Sequence, residues 1–293
     1  MFNYELKSSN MNHFKKFQSA ISITEVKDNT YKIIPNRDYF VGNTPHGGYL
    51  NAVMCKALVA SLPHVNIISS SVQYLDRTDS IETFLKVEIL KASRGSSSGY
   101  VKLIQDNKVC ATLTAICSDF NHMKGFNGLE SPLPEIYHQN NHDSYKDLEY
   151  DKISKGFTPS FIKQLDCKIN PNHVWWDRDS NSDSADARCS AFLEMTGGTA
   201  DQFCLAYYSD ILPPVVSNKY GALGWIPTIT LTTHIRMMPT TSKLFADFKA
   251  SDINKGYFEQ DARIWDLNGN FVASSRQLTR ILKSEEKLSN YRK

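Results

Sequence analysis

The chain has 293 residues, room for two compact units of about 150 residues or one large one. Hydrophobic residues make up 41% and charged residues 22%, the balance of a globular protein, which excludes a disordered chain. The 33 basic and 31 acidic side chains leave a net charge of +2, too even for a dedicated nucleic-acid binder, so no nucleic-acid partner is expected.

The first residues, with Glu5, Lys7, Lys15 and Lys16 and no apolar core, do not read as a secretory signal. Gly47-Gly48-Tyr49 then opens a predicted helix whose Leu50, Val53, Met54, Ala57, Leu58 and Ser61 form a stripe at i, i+3, i+4 and i+7 spacing. It stops before Pro63. Its apolar run, Ala52–Leu62, is too short to span a bilayer and contains Lys56, so no membrane span is expected. Strands follow at His64–Tyr74, Ile81–Ala92, Tyr100–Gln105 and Lys108–Cys117, with a hairpin turn at Gln105-Asp106-Asn107. A polar stretch over 121–156, rich in Asn, His, Asp and Lys, reads as a linker, with a short helix near Tyr145–Lys152. Trp175-Trp176 and the acidic, serine-rich run Asp177–Asp186 read as a surface loop.

The second half repeats the first. Gly197-Gly198-Thr199 opens a helix with a stripe of Phe203, Cys204, Tyr207, Tyr208, Ile211 and Leu212, again ended by proline. Positions 47, 48, 62, 63 and 65 carry the same residues as those 150 further on. Strands are predicted at Ile226–Arg236, Leu244–Ser251, Phe258–Trp265 and Asn270–Leu282, with a turn at Leu267-Asn268-Gly269. Each half is thus a strand, one long helix and an antiparallel meander, in an α+β chain divided as 1–120, linker 121–156 and 157–293.

The six cysteines form no C-x-x-C pair and several sit in apolar runs, which predicts reduced thiols, no metal site and a reducing compartment. The final Tyr291-Arg292-Lys293 is not the S-K-L peroxisomal address, so a cytoplasmic location is expected.

Several segments carry a resemblance. Pro45-His46-Gly47-Gly48-Tyr49-Leu50 and Ser71-Val72-Gln73-Tyr74-Leu75 mark the first half. Ser209-Asp210-Ile211-Leu212-Pro213-Pro214, Trp225-Ile226-Pro227-Thr228, Ile264-Trp265-Asp266 and Val272-Ala273-Ser274-Ser275-Arg276-Gln277 mark the second. In this order they resemble the double hotdog acyl-CoA thioesterases of the thioesterase II type, over about Tyr31–Phe120 and Ala185–Leu282. The resemblance implies a tandem hotdog, each half a long helix wrapped by an antiparallel sheet. It implies a hydrolase of fatty acid metabolism that cleaves acyl-CoA or another acyl-thioester to acid and thiol by direct water attack, without cofactor. Double hotdogs often assemble further, which makes a homo-oligomer the expectation by analogy.

That chemistry needs backbone N–H groups at a helix N-terminus to polarise the thioester carbonyl, and a polar group to activate water. Gly47, Gly48 and Tyr49, with His46 beside them, fit the first need. For the second, the resemblance implies a carboxylate, a hydroxyl and a glutamine. Gln277 matches the glutamine and lies on an apolar strand face; Ser251 aligns with the hydroxyl, although alternation turns it toward solvent. Thr230 occupies the position aligned with the carboxylate, and a threonine cannot accept a proton at neutral pH. His46, Asp201, Asp210 and Glu194 are the replacement bases to weigh; Asp210 is discounted because it lies near the C-terminus of its own helix, an unfavourable place for a carboxylate. The alternative function is a non-catalytic acyl-thioester-binding hotdog that lost hydrolysis with its carboxylate. A hotdog dehydratase would need a histidine followed by an acid on the hotdog helix, and the first helix offers only Asn51.

Overall fold

The helix expected after the first glycine pair sits amid a chain of short and long strands. A computed structural model describes residues 12–139, 142–148, 159–175 and 186–282. The run Trp176–Ala185, most of the predicted loop, lies outside them, as do both ends of the chain read for targeting signals. The first half comprises α1 (His13–Ala20), β1 (Thr24–Lys27), β2 (Thr30–Ile33), β3 (Phe40–Val41), β4 (Thr44–Pro45), α2 (Gly47–Ser61), β5 (Asn66–Tyr74), β6 (Thr83–Ala92), β7 (Ser97–Gln105) and β8 (Lys108–Ser118). The connecting segment supplies α3 (Glu135–Gln139) and β9 (Lys146–Asp147). The second half follows as β10 (Asp166–Ile169), β11 (Arg188–Glu194), α4 (Gln202–Tyr208), α5 (Val216–Tyr220), β12 (Thr228–Ile235), β13 (Lys243–Asn254), β14 (Tyr257–Asp266) and β15 (Phe271–Arg280).

One 13-stranded sheet runs β1-β2-β6-β7-β8-β5-β12-β15-β14-β13-β11-β10-β9. Within it, β2-β6-β7-β8-β5 and β11-β13-β14-β15-β12 have the same order relative to the chain, which is the tandem hotdog. The halves join edge to edge where β5 and β12 pair antiparallel, with Ser71 opposite Thr232. Left-handed backbone at Asp106 and Asn107 (φ 47° and 61°) and at Lys255 and Gly256 (φ 50° and 83°) makes the two-residue hairpins β7–β8 and β13–β14.

Both hotdog helices pack on the inner face of this sheet and against each other. The crossing is close: a Cβ on Gly48 would lie 2.4 Å from the carbonyl oxygen of Tyr207, so only glycine fits. Lys56 of α2 sits 4.6 Å above the ring of Phe203 of α4. The six cysteines are buried free thiols.

Two expectations need correction. The second helix is only seven residues, Gln202–Tyr208: it begins after the glycine pair because Asp201 caps it by accepting the N–H groups of Phe203 and Cys204, and it ends before Ile211 and Leu212 rather than at Pro213. Gly197 is left-handed (φ 89°) and, with Gly198, lies against Asn12 and Phe14 of the N-terminal segment. The stretch over 121–156 does more than link. It carries a helix at Glu135–Gln139 and a 3-10 turn at His142–Ser144. Residues 145–148 are not helical, the rest of the helix expected near Tyr145–Lys152 lies outside the described residues, and β9 extends the sheet by pairing with β10. Its Leu133, Ile136, Tyr137 and Tyr145 cover the outer face of the second half, against Phe192, Phe245 and Trp265. Burying these rings repays the ordering of an otherwise polar segment.

Candidate active site

The first turn of α2 has no side-chain cap of its own, since His46 at the N-cap makes no capping bond. The first N–H groups of a helix lack intrahelical partners and carry positive potential. One of them, Gly48 N–H, donates to Asp210 Oδ2 at 3.0 Å. A Cβ on Gly47 would fall 2.7 Å from the same oxygen, so the first glycine makes room for the carboxylate and the second for the helix crossing.

Asp210 was discounted for standing at a helix C-terminus, and the geometry overturns that objection. It lies two residues beyond the end of α4, and its carboxylate is aimed at the N-terminus of α2 in the other half. The electrostatics are those of the positive end of α2, a relation no single-helix argument contains. The carboxylate is 10% exposed, and burial pushes its pKa up to about 7 against the opposing Gly48 hydrogen bond.

Its surroundings are mostly neutral hydrogen-bonding groups. His46 Nε2 donates to the main-chain oxygen of Asp210 at 2.9 Å and stands 3.6 Å from Oδ2. Burial pushes His46 down to about 4, so at neutral pH the ring is uncharged; it packs 4.3 Å from the ring of Phe161. Tyr74 donates its hydroxyl to Gly47 O at 2.7 Å, and burial followed by the nearby Asp210 charge holds that hydroxyl protonated. Behind Asp210 a polar chain crosses both halves: Ser70 Oγ donates to Asn51 Oδ1, Thr233 Oγ1 to Ser209 Oγ at 3.0 Å, and Ser275 Oγ to Ser209 O at 2.7 Å. Asn51 Nδ2 links the two parts by reaching Thr233 Oγ1 at 3.4 Å. These bonds hold the residue next to Asp210 against α2, β12 and β15.

Gln277 follows Ser275 on the inward face of β15, one pleat of about 7 Å away. It is 5% exposed and its Oε1 is buried without a partner. The sequence candidates are otherwise dispersed. Thr230 faces outward with Thr232 and His234, while Leu231, Thr233 and Ile235 face in. A bulge between Thr228 and Thr230 instead sets Thr228 opposite the buried Thr279, so Thr228 is the threonine turned inward beside Gln277. Ser251 is exposed even though β13 is irregular there. The Tyr49 side chain is structural: its hydroxyl donates to Ala20 O and accepts from Asn36 N, and its ring stacks on Tyr39 at 5.0 Å. Asp201 is spent on capping α4, and Glu194 accepts from Ser242 on the far strand pair.

The structure thus places Gly47, Gly48 and His46 beside Asp210 and Gln277 inward on β15, and it turns Thr228 rather than Thr230 toward Gln277. The signal for Thr228 was a bulge that strand alternation cannot reveal. Among the described residues there is no cluster of potential metal ligands and no helix long and apolar enough to cross a membrane.

Comparison with known proteins accords with this architecture. Family models for the acyl-CoA thioesterase N-terminal domain match residues 36–118, and those for the C-terminal domain match residues 141–281. No curated protein matches the chain. Among solved structures, a protein assigned as a thioesterase II from Thermobifida fusca YX superposes with TM-score 0.79 at 22% identity, covering 94% of this chain and 99% of that one. A hot-dog-fold protein of unknown function from Alicyclobacillus acidocaldarius gives 0.77 at 17% identity, over 92% and 98%. An acyl-CoA thioesterase II from Mycobacterium marinum gives 0.69 at 13% identity, also over 92% and 98%. Two family domains in tandem, on a sheet whose halves share one strand order, place the chain in the acyl-CoA thioesterase family.

Proposed function

We propose that the protein hydrolyses acyl-CoA-type thioesters by direct attack of water, with Asp210 as general base. The observation that carries this reading is the Asp210 carboxylate, buried at the open N-terminus of α2 and titrating near neutrality. A base is most effective when its pKa lies near the working pH.

In this reading the substrate carbonyl lies at the first turn of α2, polarised by the N–H groups that flank Gly48 and by the helix dipole. Asp210 takes a proton from water as the water oxygen bonds to the carbonyl carbon. The tetrahedral oxyanion collapses with cleavage of the C–S bond, and the Asp210 proton passes to the departing thiolate, giving acid and thiol. Gln277 and Thr228, inward on β15 and β12, supply hydrogen bonds that hold the water. His46 stays an uncharged donor to Asp210 throughout. The alternative of a silent acyl-binding hotdog rested on Thr230 in place of a carboxylate, and Asp210 supplies one at the α2 terminus.

The test is acyl-CoA breakdown across C2 to C18 chains, followed by chromatography, for wild type and D210N. Chain-length-dependent hydrolysis that disappears in a folded D210N is expected. Hydrolysis undiminished in D210N would remove Asp210 from the mechanism, and no hydrolysis of any chain by folded wild type would favour acyl binding alone.

A further inference from the structure

We propose that Gln260 is a positioning residue that decides which end of the Gln277 amide is free to hold the attacking water. The inference rests on the reading of Gln277 as a water-holding group and goes beyond it by naming what orients that group.

Gln260 lies on β14 directly across from Gln277 on β15, and both point inward, 1% and 5% exposed. Directly opposed residues have Cβ atoms about 4.5–5.5 Å apart, so two glutamine side chains on one face reach each other. The orientation of Gln260 is forced. Its amide faces the main-chain N–H of Val215, which donates to Oε1 at 2.8 Å. A backbone N–H can only donate, so the atom facing it must be the oxygen, and Nε2 must be the free end. That Nε2 is buried and has no partner.

Across the ladder, Gln277 shows the complementary deficit: its buried Oε1 has no partner either. An orphan donor and an orphan acceptor on opposed, inward-facing side chains are costly apart. A small rotation of either amide, or one bridging water, satisfies both. Were Gln277 turned over, its NH2 would meet the NH2 of Gln260, two buried donors facing each other. Gln277 therefore keeps its oxygen toward Gln260 and leaves Nε2 as the free donor, which in the proposed mechanism binds a water oxygen while Asp210 takes that water's proton. Val215 lies on the segment that continues from Asp210, so one stretch of chain positions the base and, through Gln260, orients the amide.

The test pairs Q260E with Q260M, reading kcat and KM on the best acyl-CoA and the side-chain NH2 resonances of Gln277 in ligand-free protein. In Q260E one carboxyl oxygen still accepts Val215 N–H, while the other invites the Gln277 NH2 and turns the Gln277 oxygen outward as the free end. The expected result is a fall in kcat of about 10-fold or more, with KM within about twofold and displaced Gln277 NH2 signals. Q260M leaves the Gln277 amide without a partner and is expected to fall between Q260E and wild type; it is also the neutral variant that decides the matter should Q260E not fold. Wild-type kcat in both, or unmoved Gln277 signals, overturns the inference. Q277L run in parallel separates the two readings: if it hydrolyses at the wild-type rate, the role of Gln277 itself falls; if it is impaired while Q260E and Q260M are not, only the orienting role of Gln260 falls.

Discussion

The N-termini of the two hotdog helices are equivalent in the repeat and opposite in chemistry. At α2 two glycines open the first turn, the N-cap side chain contributes no capping bond, and the vacant Gly48 N–H is met by a carboxylate from the other half. At α4 the turn is sealed by its own residues. Asp201 accepts from Phe203 N and Cys204 N, both at 2.9 Å, and Gln18 donates to its second oxygen. Gln202 clamps the end to the start of β5, accepting from Ile67 N and donating to Val65 O, both at 2.7 Å. At the 150-residue offset of the repeat, the residue answering Asp210 is Ala60. A duplicated architecture therefore leaves one helix end met by a carboxylate from the other half and one that its own side chains have filled. Whether a helix N-terminus is a site depends on who satisfies its N–H groups.

The sharpest way to break this contrast is at the glycines. G48A drives a methyl group to 2.4 Å from a backbone oxygen that cannot move without separating the helices. A loss of several kcal/mol in urea unfolding, or failure to fold, is expected. G198A meets only the Phe14 ring at 2.6 Å, a side chain on a terminal helix that can shift, and should cost clearly less.

The two aspartates should part next. D210N keeps an acceptor for Gly48 N–H but no base, and acyl-CoA hydrolysis should fall about 10²–10⁴-fold with the fold retained. D201N replaces one good N-cap by another and should leave activity and melting temperature close to wild type.

Asp210 also links the site to pH. Its folded pKa of about 7 lies above the ordinary 3.8, so its contribution to stability is fully present below 3.8 and is lost as pH rises through 7. Between pH 4 and 8.5, the urea unfolding free energy of wild type should therefore decline relative to D210N, by an amount on the order of 4 kcal/mol at full ionisation. Over the same range the kcat/KM of wild type should climb through about pH 7, since the ionised carboxylate is the base. A flat profile would detach Asp210 from proton transfer. The smallest effects belong to the face of β12: T228V should lower kcat about 10-fold, whereas T230V and S251A should stay within about twofold.

Much of the architecture was legible because it rests on local periodicity. The 15-residue α2 begins at the glycine pair expected of it, and β5, β8, β12 and β15 fall within two or three residues of the alternating runs that predicted them. The second helix was misplaced at its start because a glycine pair reads alike whether it opens a helix or, as at Gly197, takes a left-handed turn against Asn12. The role of the segment around Tyr137 and Tyr145 was hidden because its few aromatic residues bury themselves on a surface made by β11, β13 and β14.

What the sequence determined by itself was the repeat, the strand order's raw material, the open first turn of α2 and an inward glutamine at 277. Periodicity, glycine and proline placement are properties of neighbouring residues, so they survive without coordinates. What only the tertiary structure decided was which carboxylate stands at the N-terminus of α2. Asp210 is poorly placed with respect to its own helix and well placed with respect to α2, because charge interacts through space and the two halves meet helix end to helix end. The inward threonine was decided in the same way, by a bulge between Thr228 and Thr230 whose effect on side-chain direction exists only once β12 is paired with β15.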